Sequence, residues 1–124
     1  MKLHANRDPA LNTVTAYGPG WLEINARRYE HALLVQPEAP LEAWGPLRFD
    51  ELDAEHFEAI LAHAPEVVLL GTGAVQRFPH PRLTAALTAR RIGVEAMDTG
   101  AACRTYNILM AEGRRVLAAL LPPV

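Results

Sequence analysis

Asp98-Thr99-Gly100-Ala101-Ala102-Cys103-Arg104-Thr105-Tyr106-Asn107-Ile108-Leu109-Met110-Ala111-Glu112-Gly113-Arg114-Arg115 runs directly into an apolar stretch at residues 116–121. Asp98 or Thr99 is placed to cap a helix, because a short side-chain oxygen there accepts from first-turn amides that have no intrahelical partner. Gly113 suits the residue that closes such a helix, and Arg114 and Arg115 suit the negative end of its dipole. The apolar run that follows has the continuity of a strand covered on both faces. Upstream, Val67-Val68-Leu69-Leu70-Gly71-Thr72-Gly73 presents another strand, followed by a glycine loop at the position where parallel sheets bind ligands.

Working outward, the pattern predicts strands at residues 66–70, 93–97 and 115–121, with helices at about residues 81–91 and 100–112 between them. This βαβαβ order requires a parallel sheet with right-handed crossovers, in which residues 67–70, 94–97 and 116–121 are central strands. The N-terminal half reads differently. Thr13-Val14-Thr15-Ala16-Tyr17 and Trp21-Leu22-Glu23-Ile24-Asn25 flank a Gly18-Pro19-Gly20 turn, and a third strand over residues 28–36 completes a small β-meander. Residues 41–44, between Pro40 and Gly45-Pro46, suit an edge strand. Asp50 is read as the N-cap of a helix with Glu51, Asp53 and Glu55 in its first turns, a buried stripe of Phe57, Ile60, Leu61 and Ala64, and a stop at Pro65.

With 124 residues, half of them apolar, the chain suits a single domain over residues 1–124,. It has no apolar run of about 18 residues for a membrane span, and the start Met1-Lys2-Leu3-His4-Ala5-Asn6-Arg7-Asp8-Pro9 lacks the features of a signal peptide or presequence. The expected compartment is the cytoplasm. The single cysteine, Cys103, leaves no intrachain disulfide and no cysteine-based zinc cluster,. Residues 1–64 carry five basic and ten acidic groups, whereas residues 65–124 carry seven arginines and four acids. That asymmetry creates an anion-attracting half, but a net charge of −2 with few aromatics is not that of a nucleic-acid reader,. There is no serine, and Lys2, the only lysine, lies in a terminus expected to be mobile. Serine hydrolase chemistry, a P-loop lysine and a Schiff-base lysine are therefore excluded.

Gly71-x-Gly73 after a strand invites a dinucleotide-binding reading, but Gln76 occupies the third glycine position and Pro79 and Pro81 delay the helix. Two readings stand: an anion or polar-ligand site made by Gly71, Thr72, Gly73 and Arg77, or a structural turn. Asp98 and Thr99, with Arg104 a turn further on, lie at the end of the next strand and are expected to converge with the Gly71 loop if a ligand binds there. Cys103 is either a thiol activated by the helix start and Arg104 or a small buried hydrophobe. Tyr106 has core spacing, and Asn107 in mid-helix either has a specific hydrogen-bonding role or is solvated. His56 and His63, with Asp53 nearby, are read as solvated or packed histidines rather than metal ligands, and His80 as a helix cap. No cofactor, metal or catalytic residue is assigned.

Leu70-Gly71-Thr72-Gly73 with Phe78-Pro79, then Asp98-Thr99-x-x-Ala102-x-Arg104-Thr105-Tyr106-Asn107 and Glu112-Gly113-Arg114-Arg115-Val116, resembles the family of small uncharacterised bacterial and archaeal proteins that includes the mitochondrial complex I assembly factor 3. The Pro19-Gly20 hairpin and the Trp44 region also fit. The resemblance implies a three-layer domain with a β-meander and a central mixed sheet flanked by helices, and no established enzyme activity. The expected function is therefore non-catalytic binding of a protein partner, as an assembly factor. The alternative is a binding protein or enzyme for a small anionic metabolite, using the cleft at the Gly71 and Asp98 loops.

Overall fold

Both the meander and the βαβαβ unit form. The structure, a computed structural model, describes residue 3 and residues 10–124; the polar start with Lys2 lies outside them, apart from Leu3. Strands β1 (Val14–Gly18), β2 (Trp21–Ile24) and β3 (Arg27–Tyr29) make an antiparallel sheet in that order. A second, five-stranded sheet contains β4 (Leu33–Val35), β5 (Glu42–Ala43), β6 (Val67–Gly71), β7 (Gly93–Met97) and β8 (Val116–Leu120), in the order β5-β4-β8-β6-β7. β6 pairs in parallel with both β7 and β8, while β4 runs antiparallel to β8. This is a mixed sheet whose parallel half comes from the βαβαβ unit.

Five expectations need correction. Residues 93–97 form an edge strand rather than a central one, with no strand paired to the outer side of β7 among the described residues, and Glu95 there is exposed. The third strand divides: Arg27–Tyr29 stays in the meander, and Leu33–Val35 crosses into the main sheet, where all three residues are buried. Asp50 falls in a 3-10 turn (Phe49–Glu51) that Leu52 ends in extended conformation; the helix α1 (Ala54–Glu58) starts one step later. Its cap is Asp53, whose carboxylate accepts from the amides of Glu55 at 3.0 Å and His56 at 3.3 Å. Ala64, left-handed and exposed, lies outside the buried stripe. The helix expected over residues 81–91 breaks at Thr84 into a 3-10 turn (Pro81–Leu83) and α2 (Ala85–Ala89), ending at a left-handed Arg91.

Alternation along β8 explains the three layers. Val116, Ala118 and Leu120 pack with Leu33, Val35 and Leu69 against Ala102, Cys103, Tyr106 and Met110 of α3 (Thr99–Ala111). On the other face Leu117, Ala119 and Leu121 join Val68 and Leu70 against Phe57 and Ile60 of the α1 region and Leu87 of α2. The meander adds Val14, Leu22 and Ile24 to the α3 side. It is fastened there by Asn107, whose Oδ1 accepts from the Val14 amide at 3.0 Å and whose Nδ2 donates to the Val14 carbonyl at 2.8 Å. Asn107 thus completes β1 as a neighbouring strand would. Gly100 makes room for the Tyr17 ring where β1 crosses the start of α3, since a Cβ there would stand 2.6 Å from the Tyr17 hydroxyl and push that side chain aside.

Candidate functional site

The Gly71 loop and the start of α3 meet at the carboxyl end of the parallel strands. Gly71 ends β6, and a Cβ on it would lie 3.0 Å from Thr99 Oγ1 and 3.2 Å from Thr99 Cα, so glycine lets the helix start against the strand. The Thr99 amide donates to the Gly73 carbonyl at 2.9 Å, and the Gly73 amide donates to Thr99 Oγ1 at 2.8 Å. Thr99 Oγ1 in turn donates to the Leu121 carbonyl at 2.6 Å, joining loop, helix and the end of β8.

Internal bonds engage several of the groups that an anion would use. The Thr72 amide donates to Met97 O, the Thr72 hydroxyl lies 2.7 Å from Val75 O, and the Arg77 amide donates to that hydroxyl at 3.2 Å. At the helix start, Asp98 places its own carboxylate on the Ala101 amide at 2.9 Å. A carboxylate in that position satisfies the cap and opposes a second negative charge.

Of the residues singled out in the sequence, Gly71, Thr72, Gly73, Asp98 and Thr99 come together, whereas the two arginines part. Arg77 turns to the Asp50 carboxylate at 3.3 Å and lies 5.5 Å from the Phe49 ring centre. Arg104 donates to the Tyr17 hydroxyl at 2.6 Å. Two open hollows flank the Gly73–Ala74 backbone. One, of about 280 Å3, is bordered by Leu47, Arg48, Phe49, Arg77 and Leu121; the other, of about 520 Å3, is bordered by Tyr17, Pro19, Asp98 and Gly100.

Cys103 and Tyr106 are core residues. Burial pushes the Cys103 thiol up to about 12, against a smaller opposing effect of Arg104, so the sulfur stays a protonated hydrophobe. Burial likewise raises the Tyr106 phenol, whose hydroxyl donates to Asn12 O at 2.7 Å. His80 caps its turn by accepting from the Arg82 amide, and His56 does the same for the Asp53 amide. His63 bonds Glu42 at 2.6 Å beside a hollow of about 460 Å3 at the opposite end of the sheet. Near that hollow the Arg115 amide, then Arg114, hold the Glu66 carboxyl below its ordinary range. Among the described residues no group of histidine, cysteine and acidic side chains is arranged to hold a metal.

Sequence reading missed the apolar rim. Leu47, Val75 and Val124 border the smaller hollow and are 47, 64 and 70% exposed, and Phe78, on the same loop as Val75, is 79% exposed. The available signal was Phe78 itself, between Arg77 and Pro79-His80-Pro81 in a segment too proline-rich to enter the core.

Fold and site together define an α/β protein with a docked meander, internally bonded loops and open hollows at the carboxyl end of its parallel strands. The chain belongs to the family of proteins of unknown function described as DUF498/DUF598, whose model matches residues 14–121. It is 38% identical over 109 residues to an uncharacterized protein of Rhodobacter capsulatus, covering 88% of this chain and 83% of that one. It is 34% identical over 116 residues to the NADH dehydrogenase [ubiquinone] 1 alpha subcomplex assembly factor 3 of Danio rerio, covering 92% of this chain but only 66% of the relative. The crystal structure of a Bordetella parapertussis protein superposes with a TM-score of 0.84 at 52% identity, covering 91% of this chain and 97% of that one.

Proposed function

We propose that this protein acts by binding another protein, as a non-catalytic assembly factor for a respiratory complex of the NADH dehydrogenase type. The observation that carries this reading is the exposed apolar rim of Leu47, Val75 and Val124 beside a hollow at one end of the sheet, with Phe78 exposed on the same loop as Val75. Contiguous exposed apolar surface on a small protein marks interaction sites. The assembly factor of Danio rerio lends support at the level of the family. Two further features favour binding over turnover: the amides of Thr72, Gly73, Arg77 and Ala101 are engaged internally, and Arg77 and Arg104 point to different neighbours. We place the protein in the cytoplasm, a reading supported by its one, buried, free cysteine. No helix among the described residues is long and apolar enough to cross a membrane.

The alternative, a small anionic metabolite held by Gly71, Thr72, Gly73, Arg77, Asp98, Thr99 and Arg104, is tested in the same experiment. Tagged wild type, L47E, V75E, R77A and R104A are recovered from cells, and bound proteins and metabolites are identified. The binding reading expects one reproducible protein partner, lost in L47E and V75E and kept in R104A. A single metabolite retained by wild type and lost in R77A and R104A, with no protein partner recovered, would overturn it.

A further inference from the structure

The arginine excess of the second half gathers in one segment. Residues 77–91 carry Arg77, Arg82, Arg90 and Arg91 and no acidic side chain. All four are exposed. Only Arg77 has an ion-pair partner, Asp50; Arg82, Arg90 and Arg91 make no ion pair or side-chain hydrogen bond with any described residue. Arg82 precedes α2 while Arg90 and Arg91 follow it, and Leu83 and Leu87 anchor the segment to the sheet. Val75 and Phe78 stand exposed at the beginning of the same segment. Arginine beside an exposed aromatic is the composition enriched at protein interfaces.

The surrounding charges limit what can approach. Glu95 of β7 faces the α3 side, because its neighbours Val94 and Ala96 pack on the α2 side,. Asp98 is committed to its helix cap. α1 packs beside α2 and carries the exposed Glu55 and Glu58, with Asp53 as its cap. A broad polyanionic surface, whether duplex nucleic acid or lipid headgroups, would meet these carboxylates as well as the arginines. A narrow segment can follow Arg82, Arg90 and Arg91, and the carboxylate at the near end of the strip, Asp50, is already paired with Arg77.

We infer that residues 75–91 form the docking strip for an acidic, apolar-containing protein segment, its carboxylates on Arg82, Arg90 and Arg91 and its apolar side chains against Val75 and Phe78. This rests on the protein-binding reading above and names the partner's chemistry. Complementary charge of this kind sets the orientation and rate of encounter, and its contribution falls with salt.

The test measures fluorescence anisotropy of a labelled twelve-residue peptide of repeated Glu-Glu-Leu with the full chain at low and high salt. Its Lys-Lys-Leu counterpart, a DNA duplex and vesicles containing phosphatidylserine are run beside it. Wild type is expected to bind the Glu-Glu-Leu peptide in preference to the other three, R90E/R91E to lose about tenfold or more in affinity, and R27E/R28E, with the same charge change on β3, to retain it. F78A is expected to lose affinity that salt does not restore. Melting curves establish that each variant is folded, and R90Q/R91Q replaces the reversal if it is not. No binding of the acidic peptide, equal loss in R27E/R28E, or tighter binding of duplex or vesicles would overturn the inference. A wild type that recovers a protein partner yet ignores the acidic peptide sinks the strip alone; retention of a metabolite without any partner sinks the earlier reading.

Discussion

At Thr99 one hydroxyl accepts from the Gly73 amide at 2.8 Å and donates to the Leu121 carbonyl at 2.6 Å, in a site with no exposure of the side chain to solvent. Replacing it with the isosteric valine keeps the volume but leaves a buried donor and a buried acceptor without partners. Each such orphan costs about 1–3 kcal/mol, so Thr99→Val is expected to destabilise by about 2–4 kcal/mol in urea unfolding, and Thr99→Ser by less than about 1 kcal/mol. A larger loss in Thr99→Ser than in Thr99→Val would mean that the methyl contact, not the hydroxyl, holds the loop. Asp98, Thr99 and the two glycines were legible as a turn and cap because their small or polar side chains have strong local preferences. That Arg77 and Arg104 diverge was not, since long side chains are directed by Asp50 and Tyr17, residues far away in sequence.

The elements show where local pattern stops being enough. In residues 28–36 the polar alternation of Arg28, Tyr29 and Glu30 gives way to the continuous Leu33-Leu34-Val35, and the chain changes sheets between them. The change of pattern was present, but the partner of β4 is β8, brought in from the other end of the chain. Asn107 likewise signalled a role by its awkward place in a helix, without naming Val14. The start of α1 is a matter of two neighbouring acids with similar local prospects. Asp53 bonds the Glu55 and His56 amides, while the Asp50 carboxylate lies out at Arg77. Asp53→Ala should therefore cost about 1 kcal/mol and Asp50→Ala well under half of that, by the midpoint of urea unfolding. The reverse order would restore Asp50 as the cap.

On the scale of the whole molecule, β8 is the strand to which the rest is attached. It pairs with β4 on one side and β6 on the other, and its five residues are all buried. β7 has β6 alone, and Gln76 reaches its outer side only at Ala96 O, at 3.3 Å. An edge strand of this kind opens by local fraying, whereas the centre of a sheet opens only when the protein unfolds. Native-state hydrogen exchange should accordingly find the amides of Leu117 and Ala119 protected to the full free energy of unfolding, and those β7 amides that point away from β6 exchanging far sooner. The outcome bears on function, because β7 adjoins the segment of residues 75–91 and leads into the cap at Asp98. If β7 in the isolated protein were as well protected as β8, its outer edge would have to be covered by a second chain. The partner surface would then lie along that strand, and the apolar rim at Leu47 and Val75 would no longer account for binding.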